Sequence, residues 1–208
     1  SDIDLKKIVQ FCRKKKIYYL DTAVDYSCEN VIKKFFHEKK IIITKLPNKI
    51  PQKNSYHYLK KVFTKYLKKL NVKKVYGVLI HDPNWYKKKN KLDIVKFLRF
   101  LKKKNFTKKI GVSIYTEDDY YKSVKFFKPS LVQIPINIFD QRLVKSNFLK
   151  RLKSRNVEIH ARSIYLKGII FNKNLLKKPF FSKLEHKVKL LRSFSSLKGL
   201  HLKELTLL

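Results

Sequence analysis

The stretch IYYLDTAVDYSCE, residues 17–29, determines how the rest of the chain can be interpreted. A short apolar run, Ile17–Leu20, ends in Asp21, and Tyr26 follows on the segment that leaves it. Short continuous apolar runs are typical of buried parallel strands. An acid at the end of such a strand, followed by a tyrosine on the next loop, suggests one wall of an active site.

Five more apolar runs follow, and amphipathic helices alternate with them. The predicted strands are Ile17–Leu20, Ile41–Thr44, Val75–Ile80, Lys109–Val112, Leu131–Ile134 and Val157–Ala161. The predicted helices are 5–12, Glu29–His37, 59–70, Leu92–Leu101, Glu117–Phe127, Arg142–Lys153, Leu184–Phe194 and His201–Leu208. This alternation is typical of βα units and a parallel sheet.

A regular series of six such units favours an α/β fold of the (β/α)8 TIM-barrel type over a doubly wound domain, because no G-x-G-x-x-G follows any strand. Such barrels usually need about 250 residues, whereas this chain has 208 and begins and ends on helices. We therefore expect one domain over residues 1–208, an incomplete barrel of strands two to seven that lacks the first and eighth. The chain has no Met, even at position 1, which also indicates an excised or incomplete piece.

The net charge of +36 would by itself indicate a polyanionic partner. However, only seven of the 51 basic residues are Arg, and Lys, Asn, Ile, Phe and Tyr share AT-rich codons. A lysine-rich solvated surface is therefore favoured over a nucleic-acid groove, because we expect the basic residues to be spread over every predicted helix and not gathered on one face. The charge still favours anionic ligands, including phosphorylated cofactors, and weak, salt-dependent attraction to nucleic acid or anionic membranes.

The two cysteines, Cys12 and Cys28, form no CxxC motif and favour a reducing, cytoplasmic location. No apolar run approaches the length of a membrane span. No His/Cys/Asp/Glu cluster has the spacing of metal ligands, so we predict no metal site.

Catalytic groups of such barrels lie at the carboxyl ends of the strands. Here those ends carry Asp21, Lys45, His81, Ser113, Gln133 and Arg162. A lysine ammonium beside Tyr26 would stabilise its phenolate and lower its pKa from about 10. An acid that pairs with the lysine would fix its position, and a histidine could orient a carbonyl oxygen. Together these groups could protonate a carbonyl oxygen while hydride reaches its carbon.

Six segments, in order, resemble the aldo-keto reductase family. They are LDTAVDYSCE (20–29), IITKLP (42–47), VYGVLIHDP (75–83), KIGVSIY (109–115), LVQIPINIFDQR (131–142) and ARSIYLKGII (161–170). The last two are similar to the bacterial branch associated with cell-surface sugar clusters. The resemblance implies an NAD(P)H-dependent oxidoreductase that reduces a small aldehyde or ketone, with a sugar-derived carbonyl as one option.

The resemblance also implies roles for the catalytic residues. Tyr26 takes the place of the proton donor, with Lys45 and Asp21 as its tuning pair. His81 takes the place of the residue that orients the substrate.

The remaining candidate residues are implied to bind the cofactor, NADPH or NADH. Ser113 and Gln133 match positions that contact the nicotinamide carboxamide. Arg162, Ser163 and the segment through Gly168 match the loop along the cofactor phosphates.

Two departures from the family pattern keep an alternative open. Ser27 stands where the family usually has Gly after the tyrosine, and Ile114 stands where it usually has Asn. A catalytically inactive barrel relative that acts as a binding protein is therefore the second hypothesis. A basic nucleic-acid-binding protein is the third, and the oligomeric state stays open.

Overall fold

Six parallel strands form one sheet whose order in space is their order in the chain. The computed structural model describes residues 2–35 and 40–207. The strands are β1 (Tyr19–Asp21), β2 (Ile41–Lys45), β3 (Val75–Ile80), β4 (Thr107–Ser113), β5 (Leu131–Pro135) and β6 (Glu158–Arg162). Each predicted strand is thereby confirmed, with small shifts at its ends.

Helices lie between successive strands and pack on the outer face of the sheet, one more precedes β1, and three follow β6. They are α1 (Asp2–Lys14), α2 (Glu29–Phe35), α3 (Ser55–Leu70), α4 (Lys91–Lys103), α5 (Glu117–Val124), α6 (Arg142–Lys145), α7 (Phe148–Ser154), α8 (Lys173–Leu176), α9 (Ser182–Leu197) and α10 (Leu202–Leu205). The predicted helix Glu29–His37 includes residues 36 and 37, and the predicted helix His201–Leu208 includes Leu208. These three residues lie outside the part of the chain that the structure describes. Within those residues, no helix is long and apolar enough to cross a membrane.

Two predicted elements differ for identifiable reasons. Ile17 was expected in β1, but its N–H donates to the Cys12 carbonyl at 2.8 Å and completes the cap of α1 after Lys16 at φ 55°. The helix predicted over Arg142–Lys153 is divided into α6 and α7 by Asn147 at φ 60°. Asparagine tolerates this left-handed conformation better than most residues do.

The sheet is curled, so that its first and last strands face each other. At the carboxyl end, Gln133 Nε2 of β5 donates to Asp21 Oδ1 of β1 at 3.0 Å. At the amino end, the rings of Tyr19 (β1) and His160 (β6) meet edge to face at 6.1 Å. The strands thus form a curled half-barrel, and their carboxyl ends surround one mouth.

The main core lies between the outer face of the sheet and the helices. Its fully buried side chains include Leu59, Leu70, Phe97, Leu98 and Phe148. The inner face holds a smaller apolar cluster of Ile43, Leu79 and Leu131.

Below this inner cluster, Glu158 of β6 joins three strands through its carboxylate. It accepts hydrogen bonds from the Tyr76 hydroxyl (β3) at 2.5 Å and pairs with Lys109 (β4) at 2.6 Å. His160 Nε2 lies 2.7 Å from its other oxygen. These contacts connect β3 and β4 with β6 across the inner face and so favour the curl.

Two glycines allow the central strands to approach closely. A Cβ on Gly111 would lie 1.6 Å from the backbone oxygen of Leu131, its register partner on β5. A Cβ on Gly77 would instead lie 2.6 Å from Leu131 Cδ2, the end of a flexible side chain. The backbone at Gly111 therefore leaves no room for a side chain, while the environment of Gly77 can adjust.

We expect Gly111→Ala to abolish the accumulation of soluble folded protein, because β4 and β5 would have to separate. Gly77→Ala is the matched control and should lower the free energy of unfolding by about 1–3 kcal/mol, as overpacking usually does. Soluble yield and urea unfolding measure both effects. A Gly111→Ala protein as stable as the wild type would contradict the close approach of β4 and β5.

Candidate active site

The mouth of the half-barrel is centred on a buried lysine. Lys45, the last residue of β2, is only 2% exposed. Its Nζ lies 2.7 and 2.9 Å from the two carboxylate oxygens of Asp21 and donates to the Thr22 carbonyl at 3.2 Å. The Asp21 carboxylate is half exposed, so solvent screens part of its attraction to the buried ammonium. The ends of β1 and β2 are therefore held together by this pair.

Gln133 links the far side of the mouth to the same carboxylate. Its Nε2 donates to Asp21 Oδ1, while its own Oε1 is buried and has no hydrogen-bond partner within the described part of the chain. Ser113, also buried, is the register partner of Gln133 on the neighbouring strand. A free acceptor and a hydroxyl thus stand side by side, where a ligand amide could bind both.

Tyr26 lies over the mouth, as the sequence predicts. It ends the 3-10 helix Val24–Tyr26 and is half exposed. Its ring meets the His81 ring edge to face at 6.1 Å, and Lys45 Nζ lies 5.6 Å from its centroid. The structure therefore brings together the four predicted catalytic residues.

The net pKa shift of Tyr26 is opposite in direction to the lowering that was expected from Lys45. Burial, followed by the negative charge of Asp21, raises the pKa of Tyr26 above its ordinary value of 10.0. Burial and Asp21 thus outweigh the positive charge of Arg162, which acts in the opposite direction, and the ammonium of Lys45 is itself paired with Asp21 at 2.7 Å. Tyr26 consequently keeps its proton near neutrality, which is the form that a proton donor requires.

His81 follows β3 and lies at the same mouth, beside the Tyr26 ring. Burial, together with the positive charge of Lys45, lowers the pKa of His81 below its ordinary value of 6.5. Its Nδ1 is buried and has no hydrogen-bond partner among the described residues. A neutral imidazole at this place can hydrogen-bond a carbonyl oxygen without adding a charge.

Arg162 closes the mouth from β6. Its guanidinium stacks over the Tyr115 ring at 4.4 Å, and Nη2 donates to the Ile114 carbonyl at 3.4 Å. Nη1 donates to the hydroxyl of Ser163, at 3.5 Å. Gly168 lies further along the chain at φ 82°, with open space around its α-carbon. The mouth thus includes Arg162 and Ser163, while Gly168 belongs to the segment that follows it.

The sequence interpretation missed three residues around this site. Asp25 accepts the Asn48 backbone N–H at 2.9 Å and connects the loops after β1 and β2. Thr22 supplies a carbonyl to Lys45, and Tyr115 supports Arg162. Thr22 and Tyr115, both close to the end of a predicted strand, carried a signal that could have found them.

Both departures from the family pattern have structural consequences. The Ile114 side chain is 1% exposed and packs in the main core, so it contributes no polar group to the mouth. Ser27 adopts φ 50° and ψ 33°, the left-handed region that favours glycine.

Comparisons with known proteins agree with this architecture. The model of the Aldo/keto reductase family matches residues 3–207. An aldo/keto reductase from Brucella melitensis superposes with a TM-score of 0.65 at 21% identity, over 97% of this chain and 72% of that chain. A glycerol dehydrogenase from Gluconobacter oxydans gives 0.71 at 17% identity, over 96% and 69%. The holo form of an aldo-keto reductase from Bacillus halodurans gives 0.67 at 18% identity, over 90% and 66%. No curated protein sequence matches.

The conformation of Ser27 leads to a stability prediction. Ser27→Gly should raise the free energy of unfolding by up to about 1 kcal/mol, because it removes a left-handed non-glycine residue. Ser196→Gly, an exposed substitution inside α9, is the matched control and should lower it by a similar amount. Urea unfolding measures both, and a destabilising Ser27→Gly would contradict the strain at this position.

The lowered pKa of His81 leads to a pH prediction. Because the unfolded chain binds a proton at His81 below about pH 6.5 while the folded chain does not, His81 should lower stability as the pH falls from 7 to 5. In His81→Gln this loss should be smaller. NMR titration, with His81→Gln to assign the resonance, measures the pKa directly. A folded-state pKa at or above 6.5 would contradict the account.

Proposed function

Because the chain belongs to the aldo/keto reductase family, whose members are NAD(P)H-dependent oxidoreductases, we propose that it reduces the carbonyl of an aldehyde or ketone with NADPH or NADH. The observation that carries this proposal is the position of Tyr26. Its protonated phenol lies at one mouth with His81 and the Lys45–Asp21 pair. These are the groups that protonation of a carbonyl oxygen requires.

Tyr26 gives its proton to the carbonyl oxygen of the substrate. His81, neutral because burial and Lys45 lower its pKa, donates a hydrogen bond to the same oxygen and orients it. Lys45 provides a nearby positive charge for the tyrosinate that forms, while Asp21 holds the ammonium in place. The raised pKa of Tyr26 therefore favours retention of the proton until the substrate oxygen becomes basic.

The residues of the mouth fit a nicotinamide cofactor. The unpartnered Oε1 of Gln133 can accept a carboxamide N–H, and the Ser113 hydroxyl stands beside it. Arg162, Ser163 and the open backbone at Gly168 would bind the phosphates, because guanidinium and hydroxyl groups are suited to phosphate oxygens. When bound, the nicotinamide supplies the hydride that reaches the carbonyl carbon.

The substrate is, in our proposal, a small polar carbonyl compound, with sugar-derived carbonyls included. The mouth is lined by charged and hydrogen-bonding groups, which favour a hydroxylated substrate over an apolar one. One structural neighbour, from Gluconobacter oxydans, is a glycerol dehydrogenase.

The finer description of the fold is also a proposal. The six strands correspond to strands two to seven of an eight-stranded (β/α) barrel, in one domain over residues 1–208. Support comes from the strand order, from the positions of Asp21, Lys45 and His81 on three consecutive strands, and from the 69–72% of two neighbours that the chain covers. The cysteines are free, which suits the reducing cytoplasm that we propose.

A binding protein without catalysis is the second candidate. It is favoured by Ile114, whose buried side chain cannot contact a cofactor, and by the strained Ser27 beside the proposed proton donor. Such a relative need not bind NADPH, so cofactor titration separates the two functions.

In the full-length protein, Tyr26→Phe should reduce kcat for carbonyl reduction by about 10²–10⁴-fold, the usual contribution of a general acid. The affinity for NADPH, measured by fluorescence titration, should change little. Tyr19→Phe is the matched control, because Tyr19 is equally exposed but lies at the opposite end of β1.

Undiminished turnover by Tyr26→Phe would exclude Tyr26 as the proton donor. A wild-type protein that binds neither NADPH nor NADH would favour the second candidate.

A further inference from the structure

Charge is unevenly distributed along the axis of the half-barrel. In a parallel sheet each connection returns the chain to the end where the strands begin, so the helix C-termini share that end. We call this end the amino-terminal face. Its described segments are residues 14–18, 68–74, 102–108, 125–130 and 153–157. Every charged side chain in these segments belongs to Lys or Arg.

The carboxylates lie mostly at the opposite end, where the mouth is. Those at or after the carboxyl ends of β1 to β5 are Asp21, Asp25, Glu29, Asp82, Asp93, Glu117, Asp118, Asp119 and Asp140. Glu158 begins β6 at the amino end, but it points to the inner face and is occupied by Lys109, Tyr76 and His160. It therefore leaves the charge of these described segments largely uncompensated.

This segregation corrects the expectation that the basic residues share no face. Although they are spread over every helix, the helices α1, α3, α4, α5 and α7 each end in a basic last turn just before a strand, and so bring these residues to the same end. Helix dipoles favour cations at helix C-termini, but this effect is confined to the last turn and does not account for the lysines in the loops that follow. Codon bias adds lysine at both ends and does not explain why the described segments of one end lack carboxylates.

The cations of this face are available to a partner. Lys73, Lys74, Lys103 and Lys104 are exposed and come from two neighbouring loops. Ile17, an apolar side chain at the same end, is 46% exposed. The amino-terminal face therefore combines exposed lysine ammonium groups with the exposed apolar side chain of Ile17, whose contact with water is unfavourable.

We propose that the amino-terminal face docks on an anionic lipid surface. The ends of parallel elements lie side by side, so lysines from several loops can meet one plane at the same time. Lysines near an anionic leaflet each add to the attraction, and a neighbouring apolar side chain such as Ile17 can enter the interface.

Nucleic acid fits the same face less well. Phe106, Phe126 and Phe127 pack against the core and are not free to stack on bases. Arg155 is the one arginine in the described segments of this face, and base recognition relies strongly on Arg. Docking through this face would leave the mouth, at the other end of the strands, open to solvent and to small substrates.

The test compares two variants of the full-length protein with the same change in formal charge. The face variant carries Lys73→Glu, Lys74→Glu, Lys103→Glu and Lys104→Glu. The matched variant carries Lys49→Glu, Lys53→Glu, Lys87→Glu and Lys89→Glu, all exposed and on loops at the carboxyl end. Co-sedimentation with vesicles of phosphatidylcholine, with and without phosphatidylserine, measures binding, and circular dichroism confirms folding.

The wild type should bind only the vesicles that contain phosphatidylserine, more weakly at high salt. The face variant should bind at least about tenfold more weakly, and the matched variant within about twofold of the wild type. Equal loss in both variants would show that net charge alone attracts the protein and would overturn the proposal. So would a wild type that retains duplex DNA through this face but binds neither kind of vesicle. None of these results depends on carbonyl reduction.

Discussion

Lys45 is a buried ammonium, and the mouth of the half-barrel is built around compensating its charge. Asp21 meets it with both carboxylate oxygens, and the Thr22 carbonyl takes a third hydrogen bond. Because Asp21 also accepts from Gln133, one carboxylate connects β1, β2 and β5. This constraint sets the curl of the sheet at its carboxyl end and the distance between the ammonium and Tyr26.

Burial is the main reason why the pKa of Tyr26 is raised, and the negative charge of Asp21 adds to it. An ammonium lowers the pKa of a phenol less when a carboxylate already pairs with it, and here Asp21 is much closer to Lys45 than the Tyr26 ring is. The arrangement suits a donor that holds its proton. Asp21 has two effects in this arrangement. It positions the Lys45 ammonium, and it adds negative charge near the Tyr26 phenol.

Much of the fold and several site residues could be predicted because the signals are local. A continuous apolar run such as Val75–Ile80 identifies a buried strand, and the polar residue that follows it identifies a strand end. Contacts between distant residues could not be predicted, because they depend on curl and on ångström distances. The bond from Gln133 to Asp21 and the sign of the pKa shift belong to this class, as does the shared basic face. The break at Asn147 was missed because a left-handed asparagine leaves the helical periodicity on both sides intact.

We propose that this mouth holds a nicotinamide cofactor against a carbonyl and that hydride passes between them. Its most direct test is to incubate the full-length protein with NADPH or NADH, each deuterated at both hydrogens of nicotinamide C4, and a panel of small polar aldehydes and ketones. Mass spectrometry of the alcohols follows the label. The account predicts deuterium on the former carbonyl carbon of at least one alcohol. Absence of label from every alcohol, with both cofactors and with a folded protein, would contradict it.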